Sequence, residues 1–422
     1  MKNFSYKNVL VMGDGISAEG ATYALEKLGA SVTKFVDRNG TNLPHKAYDL
    51  IVISPGIAKT HYIFDYAKTH GIPVIGEIEL GYMINDMPVI AVTGTNGKTT
   101  TVCMIERLLS KKYKTVVCGN IGISFSRVAV NGGYDLAIVE VSSFQLESIK
   151  HFKPEVAVIT NIAEDHLDRH GSMEEYSSAK KRIAENQDEG DVIVLSQDDL
   201  PLKYLTDFCP KSKVIFVCSR GKINGAYCDE GAIYYYGEKI MDVKALSFYG
   251  RHNISDFLNA VVVAKRFGVS NDEISDLIKG FKLDNHRIQL IRELNGIRFY
   301  DDSKGTNVAA TICAIDSLKG TVCLIAGGSE KNCGYDMLFR RCIESDVKVK
   351  LIGESRERMK ECAYKNGFCD FECFDSLSEA VESAYKCGCD NVLLSPATAS
   401  FDMFSNYEER GKCFAKIVNA LV

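Results

Sequence analysis

The stretch Val92-Thr-Gly94-Thr-Asn-Gly97-Lys98-Thr99-Thr100 combines small residues, one lysine and a run of threonines in the order a phosphate loop requires. It follows an apolar run over 89–93 that reads as a strand, and it precedes a helical pattern over 99–109. Small residues let backbone N–H groups face a polyphosphate, and the positive end of the following helix adds to the field. Lys98 would reach the β- and γ-phosphates, and the Thr99 hydroxyl would bind Mg²⁺. The strict pattern carries a glycine five residues before Gly97; Val92 stands there and the glycine is Gly94, so this is a shortened variant. Gly94, Thr95, Asn96, Gly97, Lys98, Thr99 and Thr100 are the nucleotide-binding candidates. Two more groups point the same way. Asp135-Leu-Ala-Ile-Val-Glu140 is an apolar run ending in a carboxylate, and the run 156–160 leads into Asn161-Ile-Ala-Glu164-Asp165-His166-Leu-Asp168. If both strands run parallel to 89–93, their carboxyl ends share one sheet edge with the loop. Glu140 and His166 then stand near the γ-phosphate as oxygen and imidazole ligands of Mg²⁺.

Such groups need sheets to position them. Residues 9–12 form an apolar run ending in Gly13-Asp-Gly15, and a helical pattern over 18–28 stops at Gly29. Strand-like runs at 31–36 and 50–54 end in Asp37-Arg38 and Pro55-Gly56. This is a small doubly wound unit, whose ligands belong beyond its strands' carboxyl ends, at 13–17, 37–38 and 54–57. Gly13-x-Gly15-x-x-Ala18 matches the loose dinucleotide fingerprint, and a tight turn without a ligand explains it equally well. A second unit opens after Met87-Pro88, with strands at 89–93, 136–141, 156–161 and 192–195. It continues through Tyr-rich hairpins over 222–241, with 234–236 the clearest strand, and a helix over 254–267. A third begins near Phe281, with strands at 297–300, 322–326, 348–352 and 391–394 and a helix over 376–386.

The composition agrees. A chain of 422 residues is long for one domain, since domains commonly run to about 100–200 residues. Apolar residues at 46% and charged residues at 25% suit a globular chain with several cores. A net charge of −5 leaves no basic excess for nucleic acid. No apolar run is long enough to span a bilayer and the N-terminus has no signal-like hydrophobic region, so a cytoplasmic chain is expected. The fifteen cysteines, with Cys387-Gly-Cys389 the closest pair, lack neighbouring histidines. They read as reduced, mostly buried thiols rather than as disulfides or a structural metal site.

Taken together, Thr93-Gly-Thr-Asn-Gly-Lys-Thr99, Asn120-Ile-Gly122, Glu140-Val-Ser-Ser143 and 161–168 resemble, in that order, the motifs of the ATP-dependent Mur ligases of peptidoglycan synthesis. Gly250-Arg-His-Asn253, His286-Arg287, Asp302-Ser-Lys304, Ser395-Pro-Ala397 and Ser400-Phe-Asp402-Met-Phe404 continue the family order to the C-terminus. Relatives that add diaminopimelate, lysine or alanine typically carry a histidine in the segment 302–306, and this chain has none there. Its C-terminal motifs, 300–307, 327–331 and 394–400, resemble instead those of the D-glutamate-adding member. The resemblance implies an α/β chain of three domains: a Rossmann-like domain (1–87) for the UDP substrate, a central P-loop ATPase-type parallel sheet (88–281), and a Rossmann-like domain (282–422) for the amino acid. It implies ATP and two Mg²⁺ ions as cofactors, UDP-N-acetylmuramoyl-L-alanine and D-glutamate as substrates, and a monomer. The third domain would close on the others, with hinges near Met87-Pro88 and 283–285.

Further roles follow from the resemblance alone. Lys180 matches a lysine that is carbamylated in the family and would join Thr99, Glu140 and His166 at the metals. Gly15, Ile16, Ser17, Asp37, Arg38, Ser54, Pro55, Gly56 and Asn120 match contacts to the uridine nucleotide. Lys304, Thr306, Lys331, Ser400, Phe401 and Tyr407 match the D-glutamate set, in which two lysines could face two carboxylates. Asn253, Arg287 and Asp302 match contacts to adenine, phosphate and ribose. Asp256 replaces a second family asparagine on the adenine side, and a carboxylate lacks the amide's paired donor and acceptor. Three rival readings account for less, one of them a P-loop regulatory module that binds ATP and switches a partner, which turnover dependent on an amino acid would exclude. A folylpolyglutamate synthetase-like ligase explains the loop and Glu140 but not 302–307 with 395–400. A dinucleotide-binding oxidoreductase built on Gly13 and Gly15 leaves the phosphate loop idle.

Overall fold

Runs of four or five apolar residues become strands buried on both faces, as parallel sheets covered by helices require. The computed structural model describes residues 5–37, 43, 46–198, 204, 207–248, 250–282, 286–330 and 334–422, with Asp168 described by its backbone only. Arg38, Lys331 and the segment 283–285 lie outside the described residues.

The first sheet contains β1 (Asn8–Met12), β2 (Ser31–Phe35), β3 (Leu50–Ile53) and β4 (Val74–Gly76), all parallel, in the order β2-β1-β3-β4. The chain leaves β1 for β2 and then returns past β1 to β3, so the loops after β1 and β3 part at a switch point. Helices α1 (Ile16–Lys27), α2 (Ile63–His70) and α3 (Glu77–Ile84) belong to this part.

The second sheet has nine strands: β5 (Val89–Thr93), β6 (Thr115–Gly119), β7 (Leu136–Glu140), β8 (Val156–Ile159), β9 (Val192–Ser196), β10 (Lys213–Cys218), β11 (Gly225–Asp229), β12 (Ala232–Tyr235) and β13 (Glu238–Asp242). Their order is β13-β12-β11-β10-β9-β8-β5-β7-β6. β5 pairs in parallel with both β7 and β8, so the three carboxyl ends lie at one edge, as the sequence requires. β12 and β13 run antiparallel and form the Tyr-rich hairpins, with the Tyr227 and Tyr234 rings stacked at 5.0 Å. Helix α4 (Lys98–Leu109) leaves the end of the phosphate loop.

The third sheet contains β14 (Gln289–Leu294), β15 (Ile297–Asp301), β16 (Val322–Gly327), β17 (Lys348–Ile352), β18 (Phe371–Cys373) and β19 (Asn391–Leu394). Its order is β14-β15-β19-β16-β17-β18, parallel except for β14. Five strands, β4, β6, β10, β14 and β18, are absent from the sequence reading. Four of them are sheet edges, where one side faces no partner strand and the apolar signal weakens.

By contacts the chain forms two compact units. The first comprises 1–162, 172–247 and 253–281, and the second comprises 163–171, 248–252 and 282–422. Met87-Pro88 therefore lies within the first unit, while His166 groups with the third sheet. Two buried carboxylates on α3 tie the first sheet to the second. Glu79, fully buried, accepts backbone N–H groups from Lys150, His151 and Phe152 at 2.8, 2.8 and 3.0 Å. Glu77 accepts the Ser126 N–H at 2.6 Å, and burial pushes its carboxyl up to about 6.

No disulfide joins the cysteines among the described residues. The expectation of mostly buried thiols is corrected: among the described residues Cys209, Cys313, Cys369 and Cys373 are exposed and only five cysteines are buried. These exposed thiols lie outside the buried strand runs, so cysteine content alone does not reveal burial. Among the described residues no helix is long and apolar enough to cross a membrane.

The Glu79 clasp has a measurable cost. Replacing Glu79 by alanine leaves three backbone N–H groups, the buried one of Phe152 among them, without their acceptor, and we expect a loss of roughly 2 kcal/mol. Urea denaturation followed by circular dichroism measures it; a loss below about 0.5 kcal/mol, the level of an ordinary surface substitution, contradicts the clasp.

Candidate active site

The phosphate loop is shaped by its two glycines. Gly94 and Gly97 have φ of 150° and 79°, conformations that side chains resist. A Cβ on Gly94 would meet Thr160 Oγ1 at 1.9 Å, and one on Gly97 would meet Asp256 Oδ1 at 2.2 Å. The end of β8 holds the loop from below: Asn96 N–H donates to Asn161 Oδ1 (2.9 Å), while Asn161 Nδ2 and Thr160 Oγ1 donate to the Asn96 carbonyl (3.0 and 2.6 Å). Thr101 on α4 donates to Asp256 at 3.3 Å, so this buried carboxylate supports the loop from the other side. Asn253 and the loop's Thr100 are also buried.

Two ammonium groups converge on one carbonyl. Lys98 Nζ donates to the Gly94 and Thr95 carbonyls at 2.9 and 2.8 Å, and Lys180 Nζ donates to Gly94 at 2.8 Å. Lys180 is 2% exposed and lies over the Tyr176 ring at 4.4 Å, while the Tyr176 hydroxyl bonds Thr95 Oγ1 at 3.1 Å. The i, i+4 spacing of Tyr176 and Lys180 puts both on one helix face. Beside them the Glu140 carboxylate, at the end of β7, accepts Thr99 Oγ1 at 2.9 Å and Asn120 Nδ2 at 2.8 Å. Among the described residues no three His, Cys, Asp or Glu side chains surround a common metal position.

A cavity of about 950 Å³ opens at the switch point of the first sheet. It gathers the sequence candidates Gly15, Ile16, Ser17, Asp37, Ser54, Pro55, Gly56 and Asn120. Gly15 caps the start of α1, and the buried Ser54 hydroxyl has no hydrogen-bond partner, leaving a donor beside the helix's positive end. His61 and Gln145 also line the cavity and escaped the sequence reading, because neither stands in a motif.

In the second unit the buried residues form a polar network. Asp302, at the end of β15, accepts Ser395 Oγ at 2.6 Å, and burial pushes its carboxyl up to about 7 despite the nearby Arg287 charge. Arg287 Nε is buried without a hydrogen-bond partner. Asp301 accepts His286 Nδ1 at 2.6 Å and the Ser303 N–H at 2.9 Å. Arg410, fully buried and missed by the sequence reading, donates to Ser303 Oγ, Ser303 O, Thr398 O and Ala399 O at 2.9–3.2 Å. Desolvation lowers its guanidinium to about 10. Lys304 Nζ lies 5.7 Å over the Tyr407 ring; Thr306 follows on the same loop, Ser400 is buried and Phe401 is 75% exposed. His166 sits in the left-handed region (φ 56°), its N–H held by Asp165 at 3.0 Å and its side chain 41% exposed.

Comparison with known proteins decides the family. Residues 92–264 match the Mur ligase middle domain. The chain is 40% identical to the UDP-N-acetylmuramoylalanine–D-glutamate ligase of Caldanaerobacter subterraneus subsp. tengcongensis, over 98% of both chains. It is 37% identical to the enzyme of that name from Streptococcus uberis, over 98% of this chain and 96% of the other.

The chain belongs to the UDP-N-acetylmuramoylalanine–D-glutamate ligases of the Mur ligase family.

Solved structures agree on the fold. A pseudomurein peptide ligase type C from Methanothermus fervidus superposes with a TM-score of 0.63 at 18% identity, over 98% of this chain and 99% of the other. A Mycobacterium tuberculosis folylpolyglutamate synthase gives 0.58 at 15% identity, over 80% and 94%. The folylpolyglutamate-type alternative thus shares the architecture, while the sequence relatives carry the D-glutamate ligase name.

The buried Asp302 makes stability depend on pH. Its folded pKa lies above the ordinary 3.8, so its contribution is full below that value and is lost as pH rises through about 7. We expect wild type to lose more stability than Asp302→Asn between pH 5 and pH 8 in chemical denaturation. Parallel losses would contradict a raised Asp302.

Proposed function

We propose that this chain joins D-glutamate to the L-alanine carboxylate of UDP-N-acetylmuramoyl-L-alanine at the expense of ATP. The observation that supports this best is the clamped phosphate loop, Lys98 beside the Thr99–Glu140 pair, in a chain 40% identical to a ligase of that name.

The chemistry explains the loop. A carboxylate is a poor electrophile, so one of its oxygens first attacks the γ-phosphorus, ADP leaves, and an acyl phosphate results. The amine of D-glutamate then attacks the carbonyl carbon, the C–O bond to phosphate breaks, and the nitrogen loses a proton. Phosphoryl transfer asks mainly for positioning and charge neutralisation. In this reading the N–H groups of 94–100 and Lys98 hold the polyphosphate. Thr99 and Glu140 suit one Mg²⁺, an ion that keeps waters and phosphate oxygens and needs only one or two protein oxygens. Mg²⁺ would supply charge neutralisation at the transferring phosphoryl group. By the resemblance, His166 would be a ligand of a second ion. Lys180, an ammonium donor as it stands, would serve there only after carbamylation, which replaces its charge with acidic oxygens.

The remaining residues divide by ligand. Residues 1–87 would bind the uridine nucleotide through Gly15, Ile16, Ser17, Asp37, Arg38, Ser54, Pro55 and Gly56, helped by Asn120. The unpartnered Ser54 hydroxyl fits a diphosphate oxygen. Residues 88–281 would bind ATP, with Asn253 and Asp256 on the adenine side. Arg287 and Asp302, in the second unit, match phosphate and ribose contacts of the family, and the orphaned Arg287 Nε suits a phosphate oxygen. In 282–422, Lys304, Thr306, Lys331, Ser400, Phe401 and Tyr407 would hold D-glutamate. The enzyme would act as a cytoplasmic monomer.

Phosphate release from ATP and Mg²⁺ with UDP-N-acetylmuramoyl-L-alanine, across a panel of D- and L-amino acids, tests the reading. Release confined to D-glutamate is expected, and release with another amino acid alone overturns the assignment. Lys98→Ala should reduce turnover by at least about 10³-fold, the scale of losing a positioned charge in a preorganised site. Its melting temperature should stay near wild type, since the Lys98 ammonium donates to two carbonyls of the loop it belongs to rather than packing in a core.

A further inference from the structure

Within the cavity of the first unit, Asp37 follows the end of β2, and its carboxylate is held from the loop between β3 and α2. His61 Nε2 lies 3.2 Å from Asp37 Oδ2. Burial, and after it the Asp37 charge, push the nearby Tyr62 hydroxyl up. His61 is itself fixed from three sides. Its Nδ1 receives the backbone N–H of Ile63 at 3.2 Å, at the first residue of α2. Its ring lies against Tyr62, with centroids 4.4 Å apart and planes at 30°. Its own backbone N–H is held by the Ala58 carbonyl at 2.9 Å.

These contacts determine the tautomer. A ring nitrogen that accepts an N–H carries no proton, so the imidazole proton is on Nε2 and points at Asp37. The carboxylate is thereby oriented by a donor that cannot rotate away. It keeps acceptor capacity, since an ionised carboxylate offers about four lone-pair sites, and Asp37 lines the cavity.

We propose that His61 is a positioning residue for nucleotide recognition: its Nε2–H, fixed by the start of α2, holds Asp37 so that a carboxylate oxygen accepts an N–H from the base of the bound nucleotide. The inference rests on the reading that this cavity takes the uridine nucleotide. The ligand chemistry required is a ring imide, whose N–H is its one donor between two carbonyls, as in uracil. A base methylated at that nitrogen has lost the donor.

Three substitutions separate positioning from packing. The Gln side chain carries its amide nitrogen about as far out as Nε2, whereas Asn reaches only the Nδ1 position, where it faces Ile63. His61→Ala and His61→Asn should each raise the KM for UDP-N-acetylmuramoyl-L-alanine about ten-fold, the scale of one charge-assisted hydrogen bond. kcat and the KM values for ATP and D-glutamate should stay within about two-fold, and His61→Gln should recover most of the loss. Calorimetric titration with UDP should weaken by the same factor. With N3-methyl-UDP, all four proteins should bind equally weakly. Equal KM values for the Asn and Gln variants, or a fall in kcat without a change in KM, overturn the inference. Wild type that binds UDP with the expected variant pattern yet fails to turn over supports the role of His61 and rejects the proposed reaction. Wild type that does not bind UDP rejects both.

Discussion

The nucleotide end of this molecule depends on how the chain between β5 and α4 is pressed onto its surroundings. Gly94 and Gly97 let the backbone pass where no side chain would fit, against Thr160 on one side and Asp256 on the other. With the loop so close to the ends of the strands, its carbonyl at Gly94 can take two lysine ammoniums at once. The same closeness brings Thr99 to the Glu140 carboxylate. Larger residues at these glycines would push the loop outward and separate every pair that depends on it.

A second constraint runs through the buried charges. Glu79 is accommodated by three backbone N–H groups, Arg410 by a hydroxyl and three carbonyls, and Asp301 by a histidine and a backbone N–H. Each such group costs free energy unless its hydrogen bonds are complete, so each fixes the backbone that completes them. Where a bond is missing, as at Arg287 Nε and Ser54 Oγ, the orphan stands among residues matched to phosphate contacts.

Much of this was readable in the sequence. Short apolar runs bounded by glycine, proline and aspartate mark the central strands, and the phosphate loop is legible because glycine, lysine and threonine each have one job there. Edge strands such as β14 and β18 were not, because their exposed side carries Gln, Arg and Glu that read as loop. Asp256 stood out as a departure from the family, but its seat against Gly97 follows only from packing. Arg410 and His61 were missed for a different reason: their partners lie far along the chain or in backbone groups, and such contacts leave no local pattern. Lys180 is the converse case, assigned by resemblance and found buried at the loop.

The account stands or falls on the acyl phosphate that links ATP cleavage to amide formation. The direct measurement uses UDP-N-acetylmuramoyl-L-alanine labelled with ¹⁸O in both carboxylate oxygens, with ATP, Mg²⁺ and D-glutamate, and mass spectrometry of the products. The account predicts that each turnover transfers one ¹⁸O to inorganic phosphate and leaves the other in a D-glutamate amide. Unlabelled phosphate, or phosphate release without the D-glutamate amide, would contradict it.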